Sequence, residues 1–138
     1  YRVSTRVDRR TRQRCIRHRP GEPLYSKREK ERVTIGLTAG EQHCNSRGFV
    51  HGGLISTLAD NAIGLSCAAH HSDLGGLVTL SLHVDFVSVA KQGDWLEFKT
   101  VFVKPGRSVD TAQGQVFANG KVCALVSATF KVMCKTNS

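Results

Sequence analysis

The segment spanning residues 52–69 constrains the fold most, because it is the longest stretch with almost no charged side chain. Read as an α-helix, it carries apolar residues on nearly every side: Leu54, Ile55, Leu58, Ala59, Ala62, Ile63 and Leu65. A helix of that kind has to be surrounded by protein. No apolar run approaches the roughly 20 residues that span a bilayer, so we expect no membrane insertion. The segment therefore predicts one long, buried helix.

The residues that follow switch to a period of two, which is the spacing of a strand with one buried face. Apolar and polar side chains alternate most cleanly over residues 78–86. Other strand patterns cover residues 24–26, 33–39, 95–103, 109–118 and 122–132, and loops are predicted at 40–48 and 70–76. Asn119-Gly120 joins the last two strands and is a strong hairpin signal. One helix followed by hairpin-joined strands predicts an α+β fold, an antiparallel sheet wrapped around one long central helix.

The positive charge of the chain is concentrated at its N-terminus. The net charge is +9, and residues 1–32 account for +8 of it, with 12 Lys/Arg against 4 Asp/Glu. We therefore divide the chain into a basic N-terminal extension, residues 1–23, and a folded domain, residues 24–138. Such an extension can attract nucleic acid or an anionic membrane. No aromatic residues interleave its arginines, so a solvated extension is favoured and no nucleic-acid partner is expected.

Cysteine usage favours a reducing compartment and no metal site. The five cysteines are an odd number, widely spaced and without a Cys-x-x-Cys pair: Cys15, Cys44, Cys67, Cys123 and Cys134. Neither a disulfide framework nor a metal-ligand spacing is present. We expect a cytoplasmic protein. The mitochondrial matrix is the alternative, because the Arg-rich, acid-poor start has some features of a transit peptide.

Asp60 is the one carboxylate in the predicted helix. Aspartate is a poor helix-interior residue, because its side chain competes for backbone amides. In a buried helix it also costs several kcal/mol unless it has a partner. Either Asp60 lies at the surface or bonds to Ser56 or Thr57, or it is a carboxylate held in a cleft for general-base or nucleophilic work.

The tripeptide His51-Gly52-Gly53 directly precedes the helix. Glycines at a helix start leave the first amides bare, with the positive end of the helix dipole behind them. Amides in that position can stabilise an oxyanion or a polarised carbonyl. Flexible turns also use paired glycines, but this pair lies one or two helical turns before Asp60.

Asn45, His51-Gly52-Gly53 and Asp60 occur at a fixed spacing within the segments 45–54 and 58–62. This pattern resembles the PaaI-like hotdog thioesterases, which join an Asn, a His-Gly-Gly and an Asp eight residues after the first Gly. The segments 79–90, 93–96 and 106–108 also resemble the strands and turns of that family. The resemblance covers residues 24–133 and implies the hotdog fold.

The resemblance implies a role for each residue of the motif. Asp60 would be the catalytic carboxylate, acting as general base on water or as nucleophile. The backbone amide of Gly52 would polarise the thioester carbonyl, with Gly53 beside it. The remaining implied site residues position the carbonyl, the loop or the water: Asn45, His51 and Thr79.

The resemblance further implies an acyl-CoA thioesterase that needs no cofactor and acts on an acyl- or aryl-acyl-CoA. It implies a homodimer or homotetramer in which Asp60 faces the His-Gly-Gly loop of the neighbouring chain. Two alternatives stay open. One is a hotdog dehydratase or hydratase, which needs a His and a carboxylate on the same substrate carbon. The other is a non-enzymatic acyl-CoA binder that uses the basic extension.

A basic turn at residues 104–108 is the candidate site for the phosphates of CoA. Lys104 and Arg107 flank Pro105-Gly106, and Ser108 follows. In an exposed turn a basic side chain can reach solvent-exposed phosphates as a point charge or a fork. The alternative is that these polar residues only keep an exposed turn soluble and bind no ligand.

Overall fold

The computed structural model describes residues 2–3 and 24–135 of the 138-residue chain. The elements in chain order are β1 (Arg2–Val3), β2 (Tyr25–Glu29), β3 (Arg32–Thr38), a 3-10 helix (Glu41–His43), α1 (Gly52–Ala68), β4 (Leu74–Phe86), β5 (Trp95–Lys104), β6 (Val109–Ala118) and β7 (Lys121–Cys134).

The seven strands of the described residues form one antiparallel sheet with the order β1-β2-β3-β5-β6-β7-β4. The long helix α1 lies against this sheet and contacts five of its strands, β3 to β7. The predicted α+β architecture, an antiparallel sheet around one central helix, is confirmed. Its strand order leaves β4, which directly follows α1, at one end of the sheet.

The core lies between α1 and the sheet face that the alternating apolar residues form. Leu58 and Ile63 of α1 are buried in one core cluster with Phe98 of β5 and Phe130 of β7. Burial of each side chain of this size contributes about 1.5–3 kcal/mol to the free energy of folding. Gly114 lets the helix approach, because a Cβ at that position would lie 2.9 Å from Cδ1 of Ile63.

Two of the connections differ from the sequence predictions. The loop predicted at residues 70–76 is partly wrong, because β4 already begins at Leu74 and pairs with the end of β7. Two glycines and a bulge between Leu74 and Gly76 conceal the alternation there. Lys30, with φ 53°, turns the β2–β3 hairpin without the Gly or Asn that usually signals a positive φ. The Asn119-Gly120 hairpin is confirmed, with φ values of 49° and 82°.

Only Arg2–Val3 of the predicted extension falls in the described part of the chain, where it pairs with β2 as β1. Residues 4–23 lie outside the described residues, so the division of the chain at residue 23 stays a prediction. Within the described ranges, no helix has the length and apolar character that a membrane crossing requires.

Candidate active site

The loop before α1 is held by hydrogen bonds on both sides. The side-chain Oδ1 of Asn45 accepts from the backbone amides of Arg47 (2.9 Å) and Phe49 (3.1 Å). The amide of His51 donates to the carbonyl of His43 at 2.9 Å. Because Oδ1 of Asn45 is used within the loop, only its side-chain NH₂ remains to donate to a ligand. These hydrogen bonds therefore fix the conformation of the loop that leads into the helix N-terminus.

The first amides of α1 have no side-chain cap. His51 is the N-cap residue, with φ −60° and ψ 131°, and its side chain makes no capping hydrogen bond. The helix begins at Gly52, so the amides of Gly52 and Gly53 occupy the first turn, where no intrahelical acceptor exists. The imidazole of His51 is exposed beside them. This helix end presents N–H donors at the positive end of the helix dipole.

The ring of Phe86 forms an apolar wall next to Gly52. A Cβ at Gly52 would lie 3.1 Å from Cζ of Phe86. Phe86 ends β4, so the N-terminus of α1 lies at the C-terminal end of that edge strand. A carbonyl that meets the Gly52 amide would have an aromatic side chain beside it.

Asp60 lies partly buried on α1 and bonds to β4 at another point. Its Oδ1 accepts a hydrogen bond of 2.9 Å from Oγ1 of Thr79. Ser56 and Thr57 do not satisfy it, because their hydroxyls donate to the carbonyls of Gly52 (2.9 Å) and Gly53 (2.8 Å). Among the described residues, Thr79 is the one recorded hydrogen-bond partner of the Asp60 carboxylate. The second oxygen is left to meet water or substrate.

Within one chain the Gly52 amide and the Asp60 carboxylate are too far apart to act on one carbonyl. Eight residues of α-helix separate them by about 12 Å along the axis. A donor to an oxyanion has to lie about 3 Å from the oxygen, and the attacking group has to be close to the adjoining carbon. Within one chain, Asp60 lies near Thr79 and Gly52 lies near Phe86, at two separate points along β4.

Both contacts border the edge of β4, which no other strand of the described residues covers. Apolar side chains along this 13-residue strand are unusually exposed: Val78 (52%), Leu80 (54%), Leu82 (36%) and Phe86 (53%). A long apolar edge strand is normally covered, because its free N–H and C=O groups pair readily with another chain. The edge of β4 is typical of a subunit interface.

The basic turn lies at the other end of α1, beyond its C-terminus. Lys104, Arg107 and Ser108 are exposed. A hydrogen bond to a buried side chain holds the turn in place: the Gly106 amide donates to Oδ1 of Asp110 at 2.9 Å. Sequence reasoning missed Asp110, although it occupies an inward position in the alternation of β6. The alternation of β6 would have predicted that Asp110 is buried.

The thiols are poor candidates for nucleophiles. Burial raises the pKa of Cys67 to about 12 and, less strongly, raises the pKa values of Cys44 and Cys123. A thiol whose pKa is raised is protonated at neutral pH and unreactive. The four described cysteines are free, and Cys15 lies outside the described residues. Within the described ranges, no group of three or more His, Cys, Asp or Glu residues is placed to hold a metal ion.

Comparisons with known proteins find esterases and thioesterases among the proteins that this chain resembles. The family model described as "Thioesterase superfamily" matches residues 47–124. An inferred esterase of Pseudomonas aeruginosa is 35% identical over 109 residues, which cover 78% of this chain and 81% of that protein. Human acyl-coenzyme A thioesterase 13 is 29% identical over 98 residues, covering 65% and 69%. Among solved structures, a mutant of the phenylacetic acid degradation protein PaaI from Thermus thermophilus has a TM-score of 0.71 and 25% identity, covering 80% and 93%.

Proposed function

This chain belongs to the thioesterase superfamily as a PaaI-like hotdog hydrolase, and we propose that it hydrolyses an acyl- or aryl-acyl-CoA at a site shared between two chains. The observation that carries the proposal is the Asp60–Thr79 pair beside the open edge of β4. A panel of acyl-CoAs assayed for free thiol release tests it. A dehydratase or hydratase would convert an enoyl-CoA without releasing thiol.

In the proposed reaction, the Gly52 amide polarises the thioester carbonyl and the Asp60 carboxylate drives attack on its carbon. As a general base, Asp60 takes a proton from water while the water oxygen forms the new C–O bond. The tetrahedral oxyanion is stabilised by the helix N-terminus and collapses with cleavage of the C–S bond, which releases the acid and a CoA thiolate that takes the proton from Asp60. As a nucleophile, Asp60 displaces the CoA thiolate to form a mixed anhydride, and water then hydrolyses the anhydride to the acid and the free Asp60 carboxylate. In both routes the Gly52 amide binds the carbonyl oxygen, and the Asp60 carboxylate acts at the carbonyl carbon, directly or through water.

The other proposed site residues orient the Asp60 carboxylate and the thioester. The hydroxyl of Thr79 donates to Oδ1 of Asp60 and so fixes the carboxylate. The side-chain NH₂ of Asn45 is available to donate to the carbonyl or the water, since its Oδ1 is already bonded to the loop. His51 lies exposed beside the uncapped amides, where it can contact the thioester or orient the loop, and Gly53 supplies the adjoining amide.

The uncovered edge of β4 is where a second chain would complete the proposed site. Asp60 contacts β4 at Thr79, and Gly52 lies against β4 at Phe86. Antiparallel pairing of two β4 strands about a two-fold axis between Leu82 and His83 would place Phe86 of one strand beside Thr79 of the other. The Gly52 amide of one chain thereby approaches Asp60 of its partner. We therefore propose a homodimer as the smallest active unit, and a homotetramer as a pair of such dimers.

Leu80→Lys should break this assembly and abolish turnover, because it places a charge on the exposed apolar edge of β4. Sedimentation velocity, run at assay concentration, should show the variant as a monomer and the wild type as a dimer or larger. Val101→Lys is the matched control, since Val101 is a 39% exposed strand residue on β5, away from the β4 edge. An active wild-type monomer would contradict the shared site.

Arg107→Ala should raise KM for an acyl-CoA several-fold and leave kcat near wild type. We propose that Arg107, with Lys104 and Ser108, contacts the phosphates of CoA, a contact made equally in ground and transition states. KM for the matching acyl-pantetheine, which lacks the nucleotide, should not change. Raising salt should reproduce the effect, because exposed charges are screened within about 10 Å at 0.1 M.

Lys121→Ala is the control for this substitution, since Lys121 is an exposed basic residue at the β6–β7 hairpin. If Arg107→Ala weakens both substrates equally, the turn does not bind the nucleotide, and the basic extension becomes the better candidate.

A further inference from the structure

A second carboxylate, Asp110, is buried far from Asp60 and takes no part in the proposed hydrolysis. It is fully inaccessible and lies on the inward face of β6, where the other residues are Ala112, Gly114, Val116 and Ala118. Its Oδ2 lies 2.6 Å from Nε2 of His71, and its Oδ1 accepts from the Gly106 amide at 2.9 Å. An ionised carboxylate among apolar groups is strongly unfavourable unless it is paired in this way. Asp110 therefore depends on these two partners.

Both partners belong to surface segments that face each other. His71 lies in the loop between α1 and β4, and Gly106 lies in the turn between β5 and β6. A cleft of about 500 Å³ opens between these segments, and its lining includes Ser72, Asp73 and Arg107. Asp110 lies beneath the cleft and holds its two walls together. The carboxylate thus fixes the relative position of the loop and the turn.

The turn is fixed on both sides of Arg107. Before it, a Cβ at Gly106 would lie 2.2 Å from the Val109 carbonyl oxygen, so the turn closes tightly on the Asp110 bond. After it, the Ser108 carbonyl accepts from the Val132 amide at 2.8 Å. Arg107 itself is exposed, and no ion pair is recorded for it among the described residues. Its backbone is held in place while its guanidinium stays available.

We propose that Asp110 and His71 are positioning residues that hold the Arg107 turn ready for the phosphate groups of CoA. The phosphate contact rests on the function proposed above, whereas the hydrogen bonds through Asp110 are present in the structure. A basic fork on a preformed turn binds a phosphate more tightly than one on a mobile turn, because less conformational entropy is lost on binding. The selectivity for the nucleotide half of CoA then depends on a residue that never contacts it.

Calorimetric titration of CoA and of pantetheine into the full chain tests this without relying on turnover. Asp110→Asn keeps an oxygen for the Gly106 amide but removes the charge that faces His71. We expect the Kd for CoA to rise roughly five- to tenfold, the size of one weakened charged contact. The Kd for pantetheine should stay at its wild-type value. If Asp110 only stabilised the fold, the melting temperature would fall and the ratio of the two Kd values would not change.

A double-mutant cycle shows whether Asp110 acts through Arg107. In an Arg107→Ala background, Asp110→Asn should raise the Kd for CoA no further, because residues that work as a unit have non-additive effects. Additive effects would overturn the proposal. Where Asp110→Asn does not fold, His71→Ala takes its place in the cycle, since His71 is only partly buried.

Glu31→Gln is the matched control, because it breaks the neighbouring His70–Glu31 pair (2.9 Å) without touching the turn. It should leave both Kd values unchanged. An unchanged CoA-to-pantetheine ratio in both Asp110→Asn and His71→Ala refutes the positioning role. Wild-type protein that binds CoA but releases no thiol from any acyl-CoA refutes the proposed function and leaves the positioning role standing.

Discussion

Replacing Asp60 with asparagine should lower kcat by roughly 100- to 10,000-fold, the range that a general base contributes, while the protein stays folded. The side-chain amide is nearly the same size as the carboxylate, and its oxygen can still accept from Thr79. It cannot take a proton from water or attack a carbonyl. Thiol release from a good acyl-CoA, measured beside a thermal melt, checks both parts of the expectation.

Glu29→Gln is the control for this substitution. Glu29 is an exposed carboxylate on β2, 2.7 Å from Nζ of Lys27, and β2 lies away from the β4 edge of the sheet. Loss of its charge should leave kcat near wild type, since it lies outside the proposed site. A well-folded Asp60→Asn protein that keeps wild-type kcat would remove Asp60 from the mechanism.

The features that the sequence predicted correctly have local causes. The apolar run of α1, the alternation over residues 78–86 and the positive-φ pair Asn119-Gly120 each specify their own conformation within a few residues. The start of β4 at Leu74 was missed because pairing with β7 decides it, and the two adjoining glycines have no alternating side chains. The Lys30 turn carries no turn residue, so the pairing of β2 with β3 determines it.

The candidate site could be predicted in part for the same reason. His51, Gly52 and Asp60 fall within one short segment, and a motif of fixed spacing reveals them together. The contact of Asp60 with Thr79 depends on how α1 packs beside β4, which no local pattern encodes. The His71–Asp110 pair likewise joins residues 39 positions apart. The motif does not show how far apart its residues lie, because Gly52 and Asp60 are separated by about two turns of helix.

Gly52→Pro should lower kcat by roughly 100- to 1000-fold, the cost of removing one oxyanion donor. Proline removes the amide N–H, yet it suits the first position of a helix. His51, with φ −60° and ψ 131°, already has the conformation that a residue before proline adopts. Gly52→Ala is the matched control, because it adds the same Cβ beside the half-exposed Phe86 ring and keeps the N–H. It should lose much less activity.

Mixing Gly52→Pro with Asp60→Asn then tests whether the site is shared between chains. In a mixed dimer, Asp60 of the Gly52→Pro chain meets Gly52 of the Asp60→Asn chain, and this site is intact while the other carries both defects. Random assembly makes half of the dimers mixed, so about a quarter of wild-type activity should return from two inactive parents. If Gly52 and Asp60 of the same chain formed one site, every site in the mixture would carry a defect. No activity would then return, and the separation of about 12 Å along the helix between the two groups would need another explanation.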